Sequence, residues 1–377
     1  MYGSISRIVF WEPSISPHKA DLFAALVALN PKLNLICCAD SDILSDRQAM
    51  GWNINVPIGY RNFISPNREL INELVADSIK TTLHIFSGIR WVPTIVNGLA
   101  AVHAANAQYA IMSEPRVLEG WRGKIRLLHS LFSEGYHRRH AAFILAIGCN
   151  GGRWFRLAGY NEEKILPFAY FVSPPKQTLY ASKSVGSLRV GYLGRLVKMK
   201  GIFDLLKAVS ILPHQVSLEI VGSGPEEVNI RNECLRLGIN LIFTGVLPIK
   251  DIGNFFGRID VLVLASTSSD DGWGVVVSEA IMSGVPVVAT QMVGASLVLK
   301  NSLFGRVVPP CKPIFIADAI NDLKKSGEYS IERRQLRLDA AAEIVSANAG
   351  AKYFLRIISW YEGRSPKPIN FFKNSGE

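Results

Sequence analysis

Two acidic residues eight positions apart, Asp271 and Glu279, bracket the segment Gly272-Trp273-Gly274-Val275. The first falls in a loop, with Asp270 beside it, and the second roughly one and a half turns into the helical pattern Val275 to Met282. A carboxylate in that position can accept hydrogen bonds from the vicinal hydroxyls of a ribose, and the flanking glycines leave backbone N–H groups open to a ligand. Upstream, the apolar run Leu188 to Leu193 ends in Gly194-Arg195-Leu196, with Lys198, Lys200 and Gly201 close behind. Glycine permits close approach to the backbone, and Arg and Lys offer fixed charge for a diphosphate. A third strand-like run ends in Val221-Gly222-Ser223-Gly224-Pro225, which opens a helix whose first N–H groups suit a nucleotide. Taken singly, each is also an ordinary strand-to-helix turn, and the plain alternative for Asp271 is that it caps the helix that follows it.

Such residues have to be held by elements, and short apolar runs alternate with helical patterns along the whole chain, the signature of parallel sheets with crossover helices. Strands are expected at Arg7–Trp11, Leu33–Ala39, Thr82–Phe86, Gln108–Ser113 and Ala142–Ile147, with helices at Pro17–Asn30, Arg68–Ser78 and Trp91–Ala107. A second series places strands at Leu188–Leu193, Ser217–Val221, Asn240–Thr244, Ile259–Ala265 and Val285–Ala289. Helices are expected there at Gly201–Leu212, Pro225–Leu237, Ile249–Phe256, Val275–Met282 and Ile314–Ser326. The loop Ser173–Gly186, rich in serine and holding two prolines, reads as the linker. The expected architecture is α/β: two doubly wound Rossmann-like domains, 1–175 and 186–348, facing each other across a cleft, then a C-terminal helix and tail at 349–377 able to cross back to the first domain. Ligands of such sheets bind beyond the carboxyl ends of the strands.

Composition bounds the partners. Of 377 residues 49% are hydrophobic and 19% charged, which excludes a disordered chain, and the net charge of +10 favours something anionic. The five cysteines show no CxxC or zinc-type spacing, so neither a disulfide framework nor a metal cluster is indicated, and a reducing cytosol fits best. No basic n-region leads into an apolar h-region at Met1–Arg7. The longest uncharged run, Ala280 to Leu299, is broken by Ser283-Gly284, Pro286 and Gly294, so no transmembrane span is expected. Within 116–156, eight basic residues face only Glu119 and Glu134, and Trp121, Leu127, Leu128, Leu131, Phe132 and Tyr136 interleave with them. That reads as an amphipathic helix, either lying on an anionic membrane or packing into the core with a solvated basic face; no nucleic-acid recognition motif accompanies it.

The order Gly194-Arg195-Leu196 with Lys200-Gly201, then Val221-Gly222-Ser223-Gly224-Pro225, then Asp271-Gly272-Trp273-Gly274 with Glu279-Ala280, then Gly284-Val285-Pro286-Val287-Val288-Ala289-Thr290 resembles the retaining glycosyltransferases of family 4, which have the GT-B fold. The resemblance covers about a third of the chain, Leu188 to Pro310, and rests mainly on topology elsewhere. It implies that Arg195 and Lys200 hold the donor diphosphate and neutralise the departing nucleotide, and that Glu279 binds the ribose. It also implies that Asp271 lies against the donor sugar, that the backbone of Gly272, Trp273, Gly274 and Val275 contacts sugar and phosphate, and that Gly194, Gly222 and Gly224 border the nucleotide. Asp271 stands where the family usually has Glu, one methylene longer. No cofactor beyond the nucleotide-sugar donor and no metal are implied.

In the first half the signal is thinner. Pro13-Ser14-Ile15-Ser16-Pro17-His18-Lys19 occupies the place of the family's glycine-rich loop without its glycines, and His18 there is a candidate acceptor contact. Glu114 stands where relatives often carry a histidine near the anomeric carbon, and Ser87-Gly88 follows a strand in which His84 reads as buried and satisfied. The expectation is a bacterial hexosyl transfer from a nucleotide-diphosphate sugar to a glycan or lipid-linked oligosaccharide of a surface polysaccharide such as lipopolysaccharide or exopolysaccharide, by an enzyme peripheral on the inner face of the plasma membrane. A non-hydrolysing nucleotide-sugar epimerase and an inactive binding protein of the same architecture are the alternatives, and nucleic acid is not an expected partner.

Overall fold

The computed structural model describes residues 4–43, 59–90, 92–174, 187–213 and 215–373. Among them the chain divides into two compact units, one holding the described residues of 4–172 and 347–373, the other those of 173–346.

The first unit runs β1 (Arg7–Ser14), α1 (Pro17–Leu29), β2 (Asn34–Ser41), β3 (Arg61–Ile64), α2 (Arg68–Ala76), β4 (Thr82–Ser87), α3 (Pro93–Ala104) and β5 (Tyr109–Ser113). It continues through α4 (Gly120–Ser133), α5 (Gly135–His140), β6 (Ile144–Ile147), α6 (Gly151–Leu157) and β7 (Ile165–Phe168). Its seven strands are all parallel, in the order β3-β2-β1-β4-β5-β6-β7. Alternation along β1 sends side chains to both faces. Val9 and Trp11 join a core with Ile95 and Leu99 of α3, while the Phe10 ring lies 4.3 Å from that of Phe23 in α1. With both faces covered, β1, β4 and β5 read as near-continuous apolar runs, which is what made them visible in the sequence.

The second unit runs β8 (Leu188–Leu193), α7 (Ile202–Ser210), β9 (Val216–Val221), α8 (Glu227–Leu237), β10 (Asn240–Gly245), α9 (Ile252–Arg258), β11 (Val261–Leu264) and α10 (Val275–Met282). After these come β12 (Val287–Thr290), β13 (Gly305–Val308), α11 (Pro313–Lys325) and α12 (Ile331–Val345). Its sheet is parallel in the order β10-β9-β8-β11-β12-β13. The uncharged run from Ala280 to Leu299 is the end of α10, β12 and most of a 3-10 turn at Gly294–Lys300. No helix among the described residues is long and apolar enough to cross a membrane.

The final helix, α13 (Ala347–Tyr361), belongs to the first unit. The Ala347 amide donates to the Val172 carbonyl at 3.0 Å, and the Phe354 ring sits 6.0 Å from that of Phe10 and 6.3 Å from that of Phe168.

Several elements differ from expectation. The edge-ward strands β3, β7 and β13, each four residues long, and the helix α12 were not anticipated. The segment 116–156 is not one helix: it breaks into α4, α5 and α6 around the buried strand β6. Most of the linker lies outside the described residues.

Phe354→Ala removes a fully buried ring from the α13 contact and is expected to cost about 3–5 kcal/mol. Hydrogen exchange should then rise in β1, β7 and α1 while β8 to β13 keep their protection. Loss of protection beginning in the second sheet would contradict the placement of α13.

Candidate functional site

In the second sheet the strand order reverses between β8 and β11, and doubly wound sheets bind ligands outside the carboxyl ends at such a point. The loops that leave β8, β9 and β11 are tied to one another there. The Gly194 amide donates to the Val221 carbonyl at 3.0 Å, the Leu196 amide to the Ser223 carbonyl at 2.8 Å, and the Thr267 amide to the Met199 carbonyl at 2.8 Å. Gly222 adopts φ +135°, and a Cβ on it would run into the Gly194 carbonyl. Gly201, at φ +65°, meets the Ala265 carbonyl in the same way. These two glycines are required by the contact between loops, since any side chain would separate them.

On that frame sit the charged groups. Tyr192 donates from its hydroxyl to the Arg195 carbonyl at 2.7 Å, fixing the turn, while the Arg195 side chain is exposed and has no ion-pair partner among the described residues. Lys200 donates to one carboxylate oxygen of Asp271, and the Ser266 hydroxyl donates to the other. The Asp271 side chain is only 1% exposed. It lies beneath Lys200, shut off from solvent, and it does not cap α10: the N-cap of that helix is Gly274, with no side-chain cap. The first turn of α10 carries no acidic residue, so its unpaired N–H groups, starting at Val275, present an uncompensated partial positive charge.

Trp273 is fully buried, and its indole N–H donates to the Ser278 hydroxyl at 2.9 Å. Its carbonyl accepts from Ala295 at 2.7 Å, while that of Gly272 accepts from Gly294 at 2.9 Å. The indole is therefore an anchor that fixes the loop from below, and no face of it is open to a ligand. Glu279, fifth in α10, keeps a partly accessible carboxylate that meets no cation or hydrogen-bond donor among the described residues. Burial pushes its pKa up to about 7.

Arg195, Lys200, Gly194, Gly222, Gly224, Asp271, Gly272, Gly274, Val275 and Glu279 thus all fall on the carboxyl edge of one sheet. The other candidates belong to the first unit, at the carboxyl ends of β1, β4 and β5. His18 is the second residue of α1 and half-buried, and Glu114 follows β5, its carbonyl accepting from Ser113 at 2.9 Å. Gly88 takes φ +88° with open space where a Cβ would point. His84 is fully buried; Trp11 donates to its Nδ1 at 3.2 Å, but its Nε2 finds no partner, and burial lowers its pKa to about 3. It is therefore satisfied on one side only.

Sequence reasoning missed the centre of this edge. Lys19 donates to Glu12 at 2.5 Å and to the Ser87 hydroxyl at 2.7 Å, and Ser87 donates back to Glu12 at 2.9 Å. Glu12 and Lys19 are both buried. The available signal was Glu12 itself, a charge closing the otherwise apolar run Ile8 to Trp11. A buried carboxylate needs a cation within reach, but nothing in the sequence says that it is the residue seven positions on. Among the described residues no three His, Cys, Asp or Glu side chains are arranged to hold a metal ion.

Residues 182–342 match the family model of the glycosyl transferases group 1. TuaC of Bacillus subtilis, named as a glycosyltransferase of teichuronic acid biosynthesis, is 33% identical over 34% of this chain and 31% of its own length. The O-antigen chain mannosyltransferase C of Escherichia coli is 27% identical over 39% and 40%, respectively. The matched stretch therefore spans 31% to 40% of the length of these curated relatives. HepE of Anabaena, solved in complex with UDP and glucose, superposes with a TM-score of 0.70 at 17% identity, covering 94% of this chain and 100% of that one. The pair of doubly wound parallel sheets is the GT-B fold of such neighbours, and residues 182–342 are similar to the glycosyl transferases group 1.

Proposed function

We propose that this protein transfers a glycosyl group, with retention at the anomeric carbon, from a nucleotide-diphosphate sugar to a lipid-linked glycan at a membrane surface. The observation that carries the donor half of this reading is the convergence of Arg195, Lys200 and Glu279 on the carboxyl edge of the second sheet. Glu279, which meets no cation or donor among the described residues, accepts from the ribose hydroxyls. Arg195 and the first turn of α10 take the diphosphate, and Lys200, held by Asp271, adds charge where the leaving nucleotide develops it. Fixed cations act strongly in such a place because they need no reorganisation during the reaction. Asp271 acts through Lys200, which accounts for the shorter acid: its carboxylate needs to reach an ammonium and a serine hydroxyl on its own loop frame. On the first unit, Ser87 and Gly88, with the Glu12–Lys19 pair beside them, and His18 and Glu114 offer donors and acceptors to an acceptor glycan.

The membrane half rests on α4. Of its 14 residues only Gly123 and Ser130 are buried. Trp121 (68% exposed), Ile125, Leu128 and Phe132 (87% exposed) form a continuous outward stripe, flanked by exposed Arg122, Lys124 and Arg126. Leu127, on the other side of the helix, packs against the first unit's core, while the outward apolar side chains with their basic flank suit the interface of an anionic bilayer. The basic excess of 116–156 is divided: Arg138 donates to the carbonyls of Ser130, Leu131 and Ala158, and Arg116 is held by Glu134. Neither of these arginines flanks the outward apolar stripe of α4.

Two outcomes are expected. Donor affinity should rise with pH between about 6 and 8, because only the ionised Glu279 accepts from two hydroxyls, and Glu279→Gln should abolish that dependence while weakening binding about tenfold or more. In the unliganded protein the sign is opposite: a carboxyl whose folded pKa exceeds its unfolded value costs stability as pH rises toward 7, so Glu279→Gln should gain thermal stability relative to wild type at pH 8 and not at pH 4. Titration calorimetry and thermal melts check both. Separately, Trp121→Ala with Phe132→Ala should release the protein from anionic vesicles in a flotation assay, since neither side chain is buried; undiminished binding would remove α4 as the membrane face.

A further inference from the structure

Arg90 and Arg116 leave the carboxyl ends of adjacent strands, three residues beyond β4 and three beyond β5, and converge on one carboxylate. Arg90 lies 3.0 Å and Arg116 2.9 Å from the same oxygen of Glu134, whose other oxygen accepts from the Tyr160 hydroxyl at 2.8 Å. Glu134 is 1% exposed, whereas the arginines are 36% and 33% exposed. Burial alone would raise the Glu134 pKa, but Arg116, the Tyr160 and Ser130 hydroxyls and Arg90 together hold it below the usual value. Neighbouring His137 has its pKa lowered to about 4 by burial and by His103, so it adds no charge near neutrality. Of these groups, two guanidiniums and one carboxylate are ionised, which leaves one positive charge facing outward.

One guanidinium is sufficient to neutralise Glu134, so the cluster carries one cation in excess. The pair is also pre-oriented. Arg116 lies over the Trp154 ring at 5.6 Å and uses a single terminal nitrogen for both Glu134 and the Ser130 hydroxyl, which leaves its remaining edge for a bidentate partner. Arg90 donates to the Ser133 hydroxyl at 2.6 Å. A small cavity opens beside Arg116 alone, lined by Gly88, Ile89, Ser113, Glu134, Trp154 and Tyr160 among others. Planar donors held in this way match the paired oxygens of an oxyanion such as a phosphate better than a neutral hydroxyl.

We propose that Arg90 and Arg116 form an anion site for the phosphate of a lipid-linked acceptor. Ser130 and Ser133, which hold the two arginines, lie on α4, the helix whose opposite stripe of Trp121, Ile125, Leu128 and Phe132 meets the membrane. One helix therefore sets the height of the bilayer surface and the position of the phosphate together. The assignment rests on the reading of α4 as a membrane face and adds to it a headgroup preference that a merely apolar and basic face would lack.

The test is flotation of the full chain with phosphatidylcholine vesicles carrying either dioleoyl phosphatidic acid, a phosphomonoester, or dioleoyl phosphatidylglycerol, a phosphodiester, matched in surface charge. Wild type is expected to bind the monoester vesicles about tenfold more tightly, and millimolar inorganic pyrophosphate should compete that increment away. Arg90→Gln, in which Arg116 still neutralises Glu134 and the fold is kept, should reduce binding to the phosphatidylglycerol level, and Arg90→Lys should restore only part of the preference. Thermal melts identify a misfolded variant, and Arg116→Lys, which keeps a cation on Glu134 but loses the bidentate edge, then serves in its place. Equal binding to the two vesicle types, or an unchanged preference in Arg90→Gln, would overturn the proposal. Loss of binding to both types in Trp121→Ala with Phe132→Ala bears on the membrane reading alone, and competition by pyrophosphate of a vesicle-independent signal would assign the site to a free phosphate.

Discussion

A carboxylate sealed from water has to be neutralised or protonated, and at Asp271 that demand fixes the second unit's site. With its side chain 1% exposed, Asp271 draws Lys200 across from the loop after β8 and the Ser266 hydroxyl from its own loop after β11. The pair thereby joins the two loops on either side of the point where strand order reverses. Everything else at that edge follows from holding those loops together: Gly201 must be glycine because the Ala265 carbonyl occupies the space of its Cβ, Thr267 binds the Met199 carbonyl, and Trp273 is buried as an anchor. The ion pair itself adds little net stability, since desolvation offsets most of the attraction. Its contribution is to orientation, and it keeps a cation in place on the surface that a diphosphate would meet.

The same rule operates in the first unit with other residues. Buried carboxylates are each matched by cations: Glu12 in β1 by Lys19, and Glu134, at the junction of α4 and α5, by Arg90 and Arg116 from beyond β4 and β5. The first pair is balanced and suits neutral hydroxyls as both donor and acceptor. The second carries an extra cation and suits an anion. On the proposed reading, a glycan attached through a phosphate offers one kind of group to each cluster.

How much of this was legible depended on how local the signal was. Strands β8, β9 and β11 are largely apolar and mostly buried, and end in glycine or in a run of small residues, so pattern and punctuation agreed and the site loops were placed to within a residue or two. Strands β3, β7 and β13 are four residues long and lack that agreement: Arg61 begins one, Pro167 interrupts another and Gly305 opens the third. The helix α12 was hidden because it packs through Arg334 and Arg337, which are buried and bind backbone carbonyls, and an arginine reads as surface in any periodicity argument. The amphipathic character of α4 was visible, whereas the side it turns outward was not. That is decided by the break before β6 and by Arg138 and Glu134, whose partners are far apart in sequence. The pairing of Asp271 with Lys200 spans 71 positions, and only the crossover topology brings the two residues together.

The most direct test of the donor site is hydrogen exchange of the full chain with and without UDP-glucose, the type of ligand that a structurally similar protein holds. Protection is expected at 194–201, 222–225 and 265–280, all on the carboxyl edge of the second sheet, with β8 to β13 otherwise unchanged; GDP-mannose and ADP-glucose, run in parallel, extend the test to other bases. Protection confined to the first unit, or absent from 265–280 while a nucleotide sugar is demonstrably bound, would contradict the assignment of Lys200, Asp271 and Glu279 to the donor.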